Sequence, residues 1–175
     1  MWDASQAGRS SYVFQHDVWP ILAPMLDAKA ELIPCEGIDS ELAKALDLVA
    51  SVDYMVVMAG AVFPLAARVQ WVTNGGRPFN TFTFGRTSCH VDGIQKLLHA
   101  EQVGALVPAY VAQAYVEDDK PWRVLSAAIA KHKTLMMLRD RAGYRRTNGQ
   151  DGKTFVCVPW TDFPVDDIDI YQGTA

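Results

Sequence analysis

Residues 52–84, VDYMVVMAGAVFPLAARVQWVTNGGRPFNTFTF, decide the fold. Val52 to Met58 is rich in β-formers, Gly60 marks a turn, and Leu65 to Val72 again favours a strand. Thr73-Asn74-Gly75-Gly76 is a strong turn signal, because Asn-Gly and Gly-Gly readily supply positive φ. Phe79 to Phe84 then alternates, with Phe79, Thr81 and Thr83 on one face and Asn80, Phe82 and Phe84 on the other. The pattern predicts three consecutive antiparallel strands in one sheet.

Working outward, Phe14, Val18, Leu22, Met25 and Leu26 recur at helical spacing behind a cap at Ser10 or Ser11. Pro20 and Pro24 lack N–H donors, so this helix starts near Asp17 or carries a kink. A short strand from Ala30 to Pro34 follows. Asp39 or Ser40 then caps a helix whose apolar face is Leu42, Leu46 and Val49. Beyond the meander, Ile94, Leu97 and Leu98 mark a helix from Val91 to Gln102, and Pro108 opens a strand from Ala109 to Val116. Glu117 to Pro121 is a solvated loop; Trp122 to Ala130 fits strand or helix and is assigned to strand. A helix from Lys131 to Arg141, a polar turn from Gly143 to Gly152 and a strand from Thr154 to Val158 complete the order. The tail from Asp162, roughly residues 162–175, holds four aspartates and is expected on the surface. This order gives an α+β fold, one domain over residues 1–175: a mixed sheet with an antiparallel meander, flanked by helices.

Of the 175 residues, 50% are hydrophobic and 21% charged, enough to build a core and incompatible with disorder, collagen or coiled coil. No apolar run reaches the roughly 18 residues that a membrane-spanning helix needs. The start Met1-Trp2-Asp3 lacks the basic-then-apolar order of a signal peptide. Cys35, Cys89 and Cys157 are widely spaced and odd in number, which suits a reducing cytoplasm. A net charge of −4 argues against a generally basic nucleic-acid coat and leaves room for a local basic patch.

Most chemical motifs are absent. Gly152-Lys153-Thr154 ends like a phosphate-binding loop, but Thr147 stands where its first glycine belongs. There is no GxGxxG, HExxH or GxSxG. His16, His90, His99 and His132 lie in separate parts of the chain. Cys89 and His90 are adjacent, so their side chains diverge and do not form a nucleophile–base pair. One constellation stands out. If residues 52–58 and 65–72 pair as a hairpin, Asp53 and Gln70 meet near the sheet's end, offering oxygen ligands to a hard ion such as Mg²⁺. An ion held there would activate water for attack on a phosphodiester. The plainer alternative has Asp53 capping the local turn and Arg68 and Gln70 forming one polar strand face.

The helix, Val52-Asp53-Tyr54, the turn and Ala67-Arg68-Val69-Gln70-Trp71 resemble the PD-(D/E)XK, restriction-endonuclease-like superfamily. With Asn80-Thr81-Phe82-Thr83, Arg86 and Gln113-Ala114-Tyr115-Val116, the likeness extends to a branch of mobile-element proteins, over roughly Ser11 to Val116. The resemblance implies a helix, meander, helix and strand core, with Asp53 as metal-binding Asp and Gln70 in the Glu/Gln position. The family's lysine two residues later is Val72 here. Lys96, Arg68 or Arg86 would supply the displaced cation, Asp92 a carboxylate, and Glu36 or Asp39 the acidic residue near the first helix.

Trp71, Phe79, Phe82, Phe84, Tyr110 and Tyr115 suit base stacking but equally the core of a sheet under helices, the reading adopted. Lys131, Lys133, Arg139, Arg141, Arg145 and Arg146 concentrate positive charge late in an acidic chain, fit either to track a phosphate backbone or to solvate a helix face. Three functions follow as expectations: a Mg²⁺-dependent nuclease, a non-catalytic nucleic-acid or protein-interaction module on the same fold, or an unrelated α+β homo-oligomer.

Overall fold

A computed structural model describes residues 6–35, 52–73, 75–86, 102, 106–139, 141, 143–147 and 154–173. The expected helices at Leu42–Val49 and Val91–Gln102 fall outside these residues, Gln102 apart.

The N-terminal helix begins earlier than expected and absorbs its prolines. Helix α1 (Gln6–Val13) runs into a π-turn (Phe14–Val18) and on into α2 (Trp19–Leu26). The Trp19 N–H reaches back to the Phe14 carbonyl, and the wider turn lets Pro20 fall in the first turn of α2, where a missing N–H is tolerated. Val13, Phe14, Val18, Trp19 and Leu22 form the buried stripe.

This stripe packs on a six-stranded sheet. Its strands are β1 (Glu31–Pro34), β2 (Tyr54–Met58), β3 (Ala61–Val72), β5 (Tyr110–Glu117), β6 (Val124–Lys131) and β9 (Ile168–Gln172), side by side in that order. All neighbours are antiparallel except β3 and β5, which run parallel. A two-residue turn closes the β2–β3 hairpin, with Ala59 at φ 51° and Gly60 at φ 76°, the conformation that matches strand twist. β5 is buried over six consecutive residues because both faces of the sheet are covered there.

The meander is not one sheet. β4 (Thr81–Arg86) leaves β3 and joins β8 (Thr154–Pro159) and β7 (Arg145–Thr147) in a separate three-stranded sheet, order β4–β8–β7. The physical reason lies in β3, whose two edges go to β2 and to β5. The small sheet and a short helix, α3 (His132–Leu138), cover the other face of the large one through Phe82, Tyr115, Leu135, Val158 and Trp160.

The acidic tail is also structured. Phe163 is buried, and β9 pairs along β6 from Ser126↔Gln172 to Ala130↔Ile168. Asp162, Asp166 and Asp169 point outward, while Ile168 and Tyr171 pack inward and Val165 and Ile170 stay exposed. The class is therefore α+β with a mixed sheet, layered as helices, large sheet, small sheet. No helix among the described residues is long and apolar enough to cross a membrane.

Candidate functional site

Asp53 stands one residue before β2 and prolongs the hairpin ladder with both backbone and side chain. Its N–H donates to the Leu65 carbonyl at 3.0 Å, its carbonyl accepts from Cys35 N–H at 2.9 Å, and its Oδ2 accepts from Ala67 N–H at 2.7 Å. Beyond this point β2 is gone while β3 continues to Val72. Odd-numbered residues of β3 direct their N–H and C=O toward the β2 side. Among the described residues, nothing pairs with the Ala67 carbonyl or with the outward N–H and C=O groups of Val69 and Trp71.

A recess of about 260 Å³ opens at this bare stretch, lined by Ser10, Ser11, Pro34, Asp53, Ala67 and Val69 among others. Helix α1 forms its second wall. Ser10 Oγ accepts from the Trp71 indole N–H at 3.2 Å, and Ser11 Oγ bridges Gln15 Nε2 and the Tyr54 hydroxyl, each at 3.1 Å. Phe14 stacks on Tyr54 with ring centres 5.0 Å apart, which fixes the floor. Arg9 lies 3.8 Å over the Trp71 ring and pairs with Asp118 at 2.9 Å.

Asp53 and Gln70, expected to share a metal ion, do not meet. The hairpin register sets Asp53 beside Ala66, so Gln70 is four residues further along, about 13 Å at strand rise. The Gln70 Oε1 instead accepts from Gln113 Nε2 at 3.2 Å, on the face covered by the small sheet. Among the described residues, no three His, Cys, Asp or Glu side chains group as metal ligands. Among the described residues Asp53 is the one carboxylate lining the recess, and a Mg²⁺ site requires several oxygen ligands.

Arg68 also serves the structure. Its Nη1 donates to the Thr83 carbonyl at 2.8 Å. Desolvation lowers its pKa, the charges of Tyr115 and Cys157 partly offset this, and an arginine remains charged at neutral pH. It belongs to a set that closes the free edge of β4. The Tyr115 hydroxyl donates to the Thr81 carbonyl at 3.0 Å and accepts from Thr81 N–H at 3.4 Å, while Gln113 Oε1 accepts from Thr83 N–H at 2.8 Å. Side chains of β3 and β5 thus do for Thr81 and Thr83 what a neighbouring strand would do. Gln113, 2% exposed, and Tyr115 are legible in the sequence only as strand residues.

The basic cluster divides. Lys131 pairs with Asp167 at 2.7 Å; that hydrogen bond raises the lysine pKa and lowers the aspartate's, and Thr134 also donates to Asp167. Lys133 and Arg141 are exposed, and Arg139 Nη1 contacts Met136 Sδ at 3.5 Å. Arg145 and Arg146 sit on β7 opposite Val156 and Phe155, and Arg86 on β4 opposite Thr154. The side chains of these three, and Lys96, Glu36, Asp39, Asp92, His90 and His99 entirely, lie outside the described residues.

Among the described residues the recess offers one carboxylate, serine hydroxyls and a strand edge with open donors and acceptors. No family model matches the chain, and no curated protein or solved structure matches it significantly.

Proposed function

We propose that the chain is a nucleic-acid-binding module on a restriction-endonuclease-like core, without hydrolytic activity of its own. The register around Asp53 carries this reading. The β3 residues that border Asp53 in the recess are Ala67 and Val69, where the resemblance would want a carboxylate or amide and, two residues on, a lysine. A binding cleft with its catalytic set replaced by apolar residues keeps a use for phosphate-directed cations, here the exposed Lys133 and Arg141 on and after α3.

The test is fluorescence anisotropy with a short duplex and a single strand at low and moderate salt, alongside a nicking assay with Mg²⁺ and Mn²⁺. Affinity should fall steeply with salt, since each neutralised phosphate releases counterions, and the nucleic acid should stay intact. Joint reversal of the exposed Lys133 and Arg141 to glutamate should weaken binding with little change in stability. Absence of binding at low salt overturns the reading; cleavage abolished by Asp53→Ala overturns its non-catalytic half.

A further inference from the structure

A second hollow, of about 460 Å³, lies between the segment that leads into β5 and helix α3. Among the described residues, Val107, Pro108, Ala109, Met136 and Met137 make its wall apolar, and no acidic side chain lines it. His132 lines it as well, and its backbone N–H donates to the Ala109 carbonyl at 2.9 Å, which ties the two sides together. The His132 side chain is the one polar group built into this wall. It is 3% exposed, and its Nε2 has no hydrogen-bond partner. An unmet polar atom in a buried place is destabilising, and a ligand that supplies the missing partner relieves it.

The charges around the ring are of one sign. Lys133 lines the hollow and is exposed, and Arg139 reaches the same wall, with Nη1 3.5 Å from Met136 Sδ. Desolvation first, and then the charge of Arg139, hold the imidazole pKa down at about 4, so the ring is neutral and sits in a positive field. We infer that this hollow binds a small monocarboxylate with an apolar body. The body lies against Val107, Pro108, Met136 and Met137, while the head group accepts from the imidazole N–H in the field of Lys133 and Arg139. A neutral imidazole carries one N–H, and a carboxylate, which only accepts, meets it with the proton on Nε2. An alkylammonium would set a third cation beside Lys133 and Arg139 and bring no acceptor to the ring. Met136 and Met137 have flexible thioether chains, so the site selects the head group more strictly than the shape of the body.

This site stands apart from the nucleic-acid-binding reading. The probes are octanoate and octylammonium, equal in chain length and opposite in charge, titrated into the whole protein by calorimetry below their micelle-forming concentrations. The His132 ring nitrogen signals are followed by NMR in parallel. Octanoate should bind more tightly than octylammonium and should shift the His132 ring signals of the wild-type protein. His132→Phe keeps a ring of similar size and removes the donor, so it should weaken octanoate about tenfold, the loss of one hydrogen bond to a charged group. Octanoate that binds no better than octylammonium overturns the site. Unmoved His132 ring signals at saturation overturn it too, and that readout needs no variant to fold. Full octanoate affinity in a folded His132→Phe protein overturns the assignment of the head group to the imidazole.

Discussion

Two strand edges in this molecule meet the same problem and resolve it in opposite ways. A strand edge presents a row of N–H and C=O groups that must find partners or water. On β4, the edge turned away from β8 is closed by side chains: Tyr115 serves both backbone groups of Thr81, while Gln113 and Arg68 serve those of Thr83. On β3, the stretch from Ala67 to Trp71 has Asp53 on its first N–H and nothing among the described residues on the groups that follow. The closed edge lies within reach of side chains from β3 and β5; the open edge borders a recess. The edges are buried to a similar degree; what separates them is whether a neighbouring strand carries a side chain long enough to reach the backbone groups.

Proline separates the two edges most sharply. Thr83→Pro deletes an N–H that Gln113 Oε1 accepts at the sheet–sheet junction and orphans that buried acceptor, so it should destabilise by about 3 kcal/mol. Val69→Pro deletes an N–H on the open edge and leaves the ladder to β5 whole, so it should cost less than about 1 kcal/mol. Urea denaturation of both variants measures the difference. Equal losses would mean that the fold depends on the β3 edge no less than on the β4 edge.

A sealed orphan sharpens the same contrast by a smaller margin. The His132 Nε2 is buried without a hydrogen-bond partner, and desolvation, then the charge of Arg139, lowers the imidazole pKa from 6.5 to about 4. The native state therefore binds fewer protons than the unfolded chain between those values, so this contribution is complete above pH 6.5 and lost as pH falls toward 4. Wild type should lose about 2 kcal/mol more than His132→Gln between pH 7 and pH 5, by denaturant titration at each pH. Parallel curves for the two proteins would show that the ring nitrogen finds a partner when protonated.

How much of this is legible in the sequence depends on whether the information is local. β1, β2, β5, β6, β8 and α3 follow from runs whose period or residue type is visible in single stretches. β4 is readable as a strand, but not its sheet, because alternation along Phe79–Phe84 says nothing about which edge of β3 is free; β5, nearly thirty residues later, decides that. β9 hides behind its aspartates, since Ile168, Ile170 and Tyr171 form too short an apolar pattern to outweigh the charge. Asp53 stands out in the sequence and does line the recess, yet its expected partner lies elsewhere. The turn at Ala59-Gly60 fixes the register and puts Asp53 beside Ala66, and shared parity alone cannot replace that count. The residues before Val52 that would flank the open edge lie outside the described residues. The closure of β4 by Tyr115, Gln113 and Arg68 has no signal in the sequence, because a side chain's role as a backbone surrogate exists only once the two sheets meet.

Asp53 marks the boundary between closed and open edge, and the smallest expected effect tests whether it belongs to both. As a structural group it satisfies the Ala67 N–H in a partly exposed place, through Oδ2 at 2.7 Å. Asp53→Asn retains an oxygen acceptor for Ala67 and should change stability by only about a few tenths of a kcal/mol, whereas Asp53→Ala removes the acceptor and should cost about 1 kcal/mol. Thermal melts of the two variants against wild type resolve a difference of that size. If the aspartate were needed only to close the ladder, the asparagine variant would be silent in every assay. An asparagine variant as stable as wild type shows that the ladder uses the acceptor and not the charge, whereas a loss equal to that of Asp53→Ala shows that it uses the charge as well.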